Sequence, residues 1–125
     1  MSYYLIVDDN ADEAEVLSKL LAHGGHSVHT AADGREALTQ VLARRPDVVL
    51  LDLLMPVMDG PSFLEVIRSY LRLQTLPVVV LTALAESPLI ERARTFDVKS
   101  VLVKCQATTH DIEKALADAV AKVPG

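Results

Sequence analysis

Four short apolar runs, Tyr3 to Val7, Val48 to Leu51, Val78 to Leu81 and Val101 to Val103, punctuate the chain. Each has the length of a buried strand and is rich in β-branched residues, the pattern of a parallel strand covered on both faces. Between them the apolar positions change to helical spacing: Ala14, Leu17, Leu20 and Leu21; then Ala37, Leu38, Val41 and Leu42; then Phe63, Leu64, Ile67 and Leu71. A last helix is predicted from Thr109 to Lys122, with Ile112, Leu116, Ala119, Val120 and Val123 as its inward stripe. A fifth strand is predicted at Ser27 to Thr30, where Val28 alternates with polar neighbours as on a sheet edge.

The punctuation agrees with these elements. Asp33, three residues before Glu36, and Thr108, three before Asp111, have the spacing of helix N-caps. Gly24-Gly25 closes the first helix, and Pro46 and Pro77 each stand just ahead of a strand. Five strands alternating with five helices through short loops imply right-handed crossovers and a parallel sheet with helices on both faces. The expectation is a doubly wound α/β fold, with residues 1–125 forming one domain. In such sheets ligands sit beyond the carboxyl ends of the strands.

Composition narrows the function. No apolar run approaches the roughly 20 residues that a membrane helix needs, so no membrane association is expected. The start of the chain has no basic leader, which predicts a cytoplasmic protein. The single Cys105 excludes an intrachain disulfide, and Cys/His zinc spacings are absent. Formal charge is −5 and the basic residues are scattered, which argues against direct nucleic-acid binding and for a protein partner or a small anion.

The loops after the strands carry a compact set of polar groups: Asp8 and Asp9 after the first, Asp52 after the third, Thr82 after the fourth and Lys104 after the last. Taken singly, an Asp at a strand end is most often a cap or turn former, and Asp9 or Asn10 fits that role. Three carboxylates converging at one sheet edge would raise one another's pKa unless a cation sits among them. Hard oxygen ligands with room for water suit Mg²⁺, and no His or Cys is needed. Asp8 and Asp9 are then the metal-holding pair, and Asp52, on the central strand, is the nucleophile able to form an acyl phosphate. Thr82 supplies a hydroxyl and Lys104 a positive charge to the phosphoryl oxygens, the positioning and neutralisation that phosphoryl transfer requires.

Asp8-Asp9, Leu51-Asp52-Leu53-Leu54-Met55-Pro56 followed by Met58-Asp59-Gly60, Leu81-Thr82-Ala83 and Lys104 together resemble the receiver domains of two-component response regulators. The likeness spans nearly the whole chain, and the Asp-x-x-Met-Pro-x-Met-Asp-Gly stretch is its most specific part. It implies a flavodoxin-like (βα)5 sandwich with strand order 2-1-3-4-5. It also implies that a histidine kinase or His-containing phosphotransfer protein delivers a phosphoryl group to Asp52. Asp9, Asp52 and the main-chain carbonyl of Leu54 would bind Mg²⁺ directly, with Asp8 acting largely through water. Phosphorylation would shift a two-state equilibrium that controls binding of a downstream protein, a phosphorylation-dependent homodimer included. The domain's chemistry would then be its own phosphorylation and dephosphorylation, not turnover of a separate substrate.

Several positions depart from the family pattern. Cys105 follows Lys104 where the family carries a cis proline; a non-proline cis bond costs about 2.5–4 kcal/mol, so a trans bond is expected. Val101 stands where the family commonly has an aromatic switch residue. Leu54 and Leu84 occupy flanking positions that are often polar, and as apolar groups they are expected to hinder water's approach to an acyl phosphate. These departures motivate an alternative, a phosphorylation-independent pseudo-receiver of the same fold. A phosphohydrolase with an aspartyl-phosphate intermediate needs a second Asp where Leu54 stands, and a flavin site would not tolerate the acidic first loop. The four histidines, Cys105, Met55, Met58 and the cluster Glu86, Glu91, Arg92 and Arg94 are read as structural or solvated groups.

Overall fold

Strands buried on both faces require helices on either side of the sheet, and the computed structural model, which describes residues 2–121, has that arrangement. The strands are β1 (Tyr3–Val7), β2 (Ser27–Ala31), β3 (Val48–Leu51), β4 (Val78–Thr82) and β5 (Ser100–Val103). The helices are α1 (Ala11–His23), α2 (Gly34–Ala43), α3 (Gly60–Arg68), α4 (Pro88–Arg94) and α5 (Thr109–Ala121). All strand pairs are parallel and the order is β2-β1-β3-β4-β5, the flavodoxin-like doubly wound fold. Lys122 and Val123, assigned above to the last helix and its stripe, lie outside the described residues.

Alternation along the strands divides the core into two layers. Leu5 and Val7 of β1, Val49 and Leu51 of β3 and Val80 of β4 pack with Val41 of α2, Phe63 and Ile67 of α3 and Ile90 of α4. Tyr4 and Ile6, Val48 and Leu50, and Val79 and Leu81 point the other way, onto Leu17 and Leu21 of α1 and Ile112 and Leu116 of α5. β1, β3 and β4 are buried throughout, whereas β5, at the sheet edge, is half-buried along its whole length.

The helix starts are capped as their spacing predicts. Asp33 accepts the Glu36 amide at 2.9 Å, and Thr108 and Asp111 exchange hydrogen bonds in a capping box. One assignment fails: Leu71 is not on the inward face of a helix. α3 stops at Arg68, and Leu71 opens a 3₁₀ turn with 84 % of its surface exposed. Its spacing continues the stripe of Phe63, Leu64 and Ile67, but the chain has already turned away to reach β4. Leu42, at the edge of the α2 stripe, is likewise exposed.

Candidate phosphoacceptor site

The carboxyl ends of β1, β3, β4 and β5 deliver the five predicted polar side chains to one side of the sheet. Backbone pairing continues past the strand ends and fixes their origins. The Asp8 amide donates to Ala31 O at 3.0 Å, the Asp52 amide to Val7 O at 2.9 Å and the Lys104 amide to Thr82 O at 2.8 Å. Because these residues extend the ladders of a buried sheet, their Cα positions are set by the core and not by loop conformation.

Asp8, Asp9 and Asp52 each offer a carboxylate oxygen within 4.8 Å of the others. Two oxygens about 2.1 Å from one Mg²⁺ stand roughly 3–4 Å apart, so the three fit a shared ion with small side-chain adjustment. The donor set, all oxygen, also matches a hard cation. Asn10, not Asp9, caps α1, its Oδ1 accepting the Glu13 amide at 3.1 Å. Asp8 Oδ1 accepts the Asn10 amide at 2.9 Å, which leaves Oδ2 directed at Lys104.

Lys104 Nζ donates to Asp8 Oδ2 at 3.0 Å, to Asp52 Oδ2 at 3.4 Å and to Glu13 Oε2 at 2.6 Å. Burial disfavours its ammonium form, but the hydrogen bonds to Glu13 and Asp8 and the charges of Asp52 and Asp8 outweigh burial and raise its pKa. Asp52 behaves in the opposite way. Burial, more than any other influence, pushes its carboxyl up to about 6; the Asp8 charge adds to this, while Lys104 and the Leu54 amide oppose it. The repulsion between carboxylates anticipated from the sequence is present in the Asp8 charge, but burial contributes more to the rise at Asp52.

Thr82 is fully buried at the end of β4, and its Oγ1 accepts the Leu84 amide at 3.2 Å. Leu54 donates its amide to Asp52 Oδ1 at 3.4 Å and is 60 % exposed, while Leu84 is half-buried against the core. Val101 also packs on that core. No cis peptide occurs among the described residues, so the Lys104–Cys105 bond is trans. Glu13 was absent from the sequence assignment; an acidic residue in the first turn of a helix carries no signal that distinguishes it from a solvated charge.

The response regulator receiver domain model matches residues 4–117. This chain belongs to that family. Over 79 residues the receiver domain is 46% identical to the response regulator MprA of Mycolicibacterium vanbaalenii, a stretch covering 63% of this chain and 33% of that protein. It is 43% identical over 79 residues to the DNA-binding response regulator MtrA of Mycobacterium tuberculosis, with 63% of this chain and 33% of the relative covered. The matched receiver stretch thus spans about a third of the length of these relatives. Among solved structures, the chemotaxis response regulator CheY4 of Vibrio cholerae superposes with a TM-score of 0.86 at 31% identity, covering 95% of this chain and 98% of that one. The signal receiver domain of a histidine kinase from Syntrophus aciditrophicus gives 0.89 at 27% identity, with 98% and 92% covered. No helix among the described residues is long and apolar enough to cross a membrane.

Proposed function

We propose that the chain, residues 1–125 acting as one domain, is the phosphoacceptor of a two-component or phosphorelay pathway. A histidine kinase or His-containing phosphotransfer protein presents phosphohistidine. An Asp52 carboxylate oxygen attacks phosphorus, the P–N bond breaks with its electron pair returning to the imidazole, and a P–O bond makes the acyl phosphate. Asp9, Asp52 and the Leu54 carbonyl would hold Mg²⁺, with Asp8 assisting through water; when bound, the ion neutralises carboxylate charge and ligates phosphoryl oxygens. Thr82 and Lys104 hold the transferred group by hydrogen bond and charge. The output is a change in protein binding, to a downstream target or a second phosphorylated copy, in the cytoplasm and without direct nucleic-acid contact by this domain.

The observation that carries this reading is the Lys104 ammonium bonded to both Asp8 and Asp52, with Asp9 in ligand reach of each. Formal charge on Asp8, Asp9 and phospho-Asp52 is about −4, and Mg²⁺ with Lys104 returns about +3, so the loaded site is nearly balanced. Incubation with Mg²⁺ and acetyl phosphate should add one phosphoryl group, read by intact mass. Asp52→Asn should abolish it, and chelation should stop it.

A second reading, the phosphorylation-independent pseudo-receiver, draws on Val101 in place of an aromatic and on Cys105 after the lysine. Failure of wild type to take up phosphate from either a small donor or a cognate kinase would favour it.

A further inference from the structure

Resting on that reading, we infer that Glu13 is a positioning residue: it holds the Lys104 ammonium in the resting protein and must yield it when a phosphoryl group arrives on Asp52. A lysine ammonium has three protons to donate. Here all three are engaged by carboxylates, Glu13 Oε2 at 2.6 Å, Asp8 Oδ2 at 3.0 Å and Asp52 Oδ2 at 3.4 Å. The backbone of Lys104 is fixed by its amide bond to Thr82 O at 2.8 Å, so rearrangement falls to its side chain. To donate to a new phosphoryl oxygen, Nζ must release one partner.

Burial decides which. The Asp8 and Asp52 side chains are 4% and 8% exposed, so bulk water has little access to replace a bond lost at either. Glu13 is 47% exposed and can be rehydrated at once. Its bond is the shortest of the three and also the one surrendered at least cost. Asp52, for its part, gains negative charge on phosphorylation and so pulls harder on the ammonium. Glu13 lies on α1 beside Asp12 and Val16, at the rim of an apolar cleft of about 350 Å³ that Lys104, Leu17, Leu81 and Ile112 also line. Release of Glu13 therefore changes charge on the α1 surface, outside the phosphoacceptor pocket itself.

The test measures beryllofluoride affinity at saturating Mg²⁺, by titration followed with ¹⁹F NMR, for wild type, Glu13→Gln and Glu13→Asp. Beryllofluoride presents acceptors on Asp52 as a phosphoryl group would. Removing the competing carboxylate should tighten binding about two- to fivefold, the range for a partly exposed ion pair. Glu13→Asp keeps the charge but falls short by a methylene, about 1.5 Å. It should tighten binding as Glu13→Gln does, whereas an effect of net charge alone would leave it like wild type and overturn the inference. The contact whose loss tightens binding is one the resting protein gives up, so both variants should melt about 1–5 °C below wild type. A wild type that binds beryllofluoride with an affinity neither variant alters overturns the Glu13 role alone. A wild type that binds none overturns the phosphoacceptor reading and the Glu13 role together.

Discussion

The Gly34 amide donates to Met58 O at 3.1 Å, and a Cβ built on Gly34 would stand 2.7 Å from that same oxygen. The first turn of α2 thus rests directly on the loop that leaves Asp52, and no side chain fits between them. On the loop's other flank Gly60 meets Leu53 in the same way, its Cβ position 2.7 Å from Leu53 Cα. Two glycines from different helices fix the path of the β3–α3 loop and, with it, the Leu54 carbonyl.

Replacement of Gly34 by Ala should therefore push the Met58 segment outward. We expect a loss of about 1–3 kcal/mol in urea unfolding, the usual cost of overpacking, together with weaker Mg²⁺ binding. An unchanged midpoint would mean that the loop shifts freely and does not fix the site.

Asp52 gives a pH-dependent prediction for the metal-free protein. Its carboxyl is raised from 3.8 to about 6 by burial, so the folded state keeps a proton that the unfolded chain has lost between those values. Stability contributed by this group is therefore full below pH about 4, falls as pH rises, and reaches its lowest value above pH about 6. Asp52→Asn has no such dependence. In EDTA it should melt several degrees above wild type at pH 7.5, roughly 4 °C or more, and converge with it near pH 4. Saturating Mg²⁺ should narrow or reverse the gap, because the wild type gains ligand binding that the variant has lost. A melting difference independent of pH would refute the assignment.

Leu84 should slow hydrolysis of the acyl phosphate by keeping water from it. With phosphorylated protein purified from excess donor, Leu84→Glu should lose its phosphoryl group faster than the parent, by roughly tenfold, a barrier change of about 1.4 kcal/mol. Equal rates would count against a shielding role.

Arg68 is a structural counterpart to the site. Its guanidinium donates to the carbonyls of Leu73, Leu76 and Phe96 at 2.8–2.9 Å, tying the end of α3 to the 3₁₀ turn and to the segment that follows α4. Arg68→Met should leave these acceptors without their partner and lower stability by about 1–3 kcal/mol in denaturant titration, while acetyl phosphate still labels Asp52.

The strands were legible because burial on both faces leaves nothing but apolar residues in Val48 to Leu51 or Val78 to Leu81. The polar residues next to such runs were conspicuous for the same reason, and topology brought Asp8, Asp9, Asp52 and Lys104 together as expected. Leu71 was misread because periodicity does not record where a helix ends: Ser69 follows α3 without proline or glycine to announce it. Glu13 was missed because its role depends on the reach of two long side chains, from α1 and from the end of β5, across the top of the sheet. Periodicity in one segment carries no information about a partner ninety-one positions away.

β1, β3 and β4 keep every residue from solvent, whereas the strand before Lys104 is half-open along its length. Local opening favours such margins, so amide exchange should run faster at 100–103 than in the three interior strands. Of Asp8, Asp52 and Lys104, only Lys104 is attached to this border, while the two carboxylates follow interior strands. Exchange at 100–103 thus reports how firmly the ammonium is seated, separately from the carboxylates it faces.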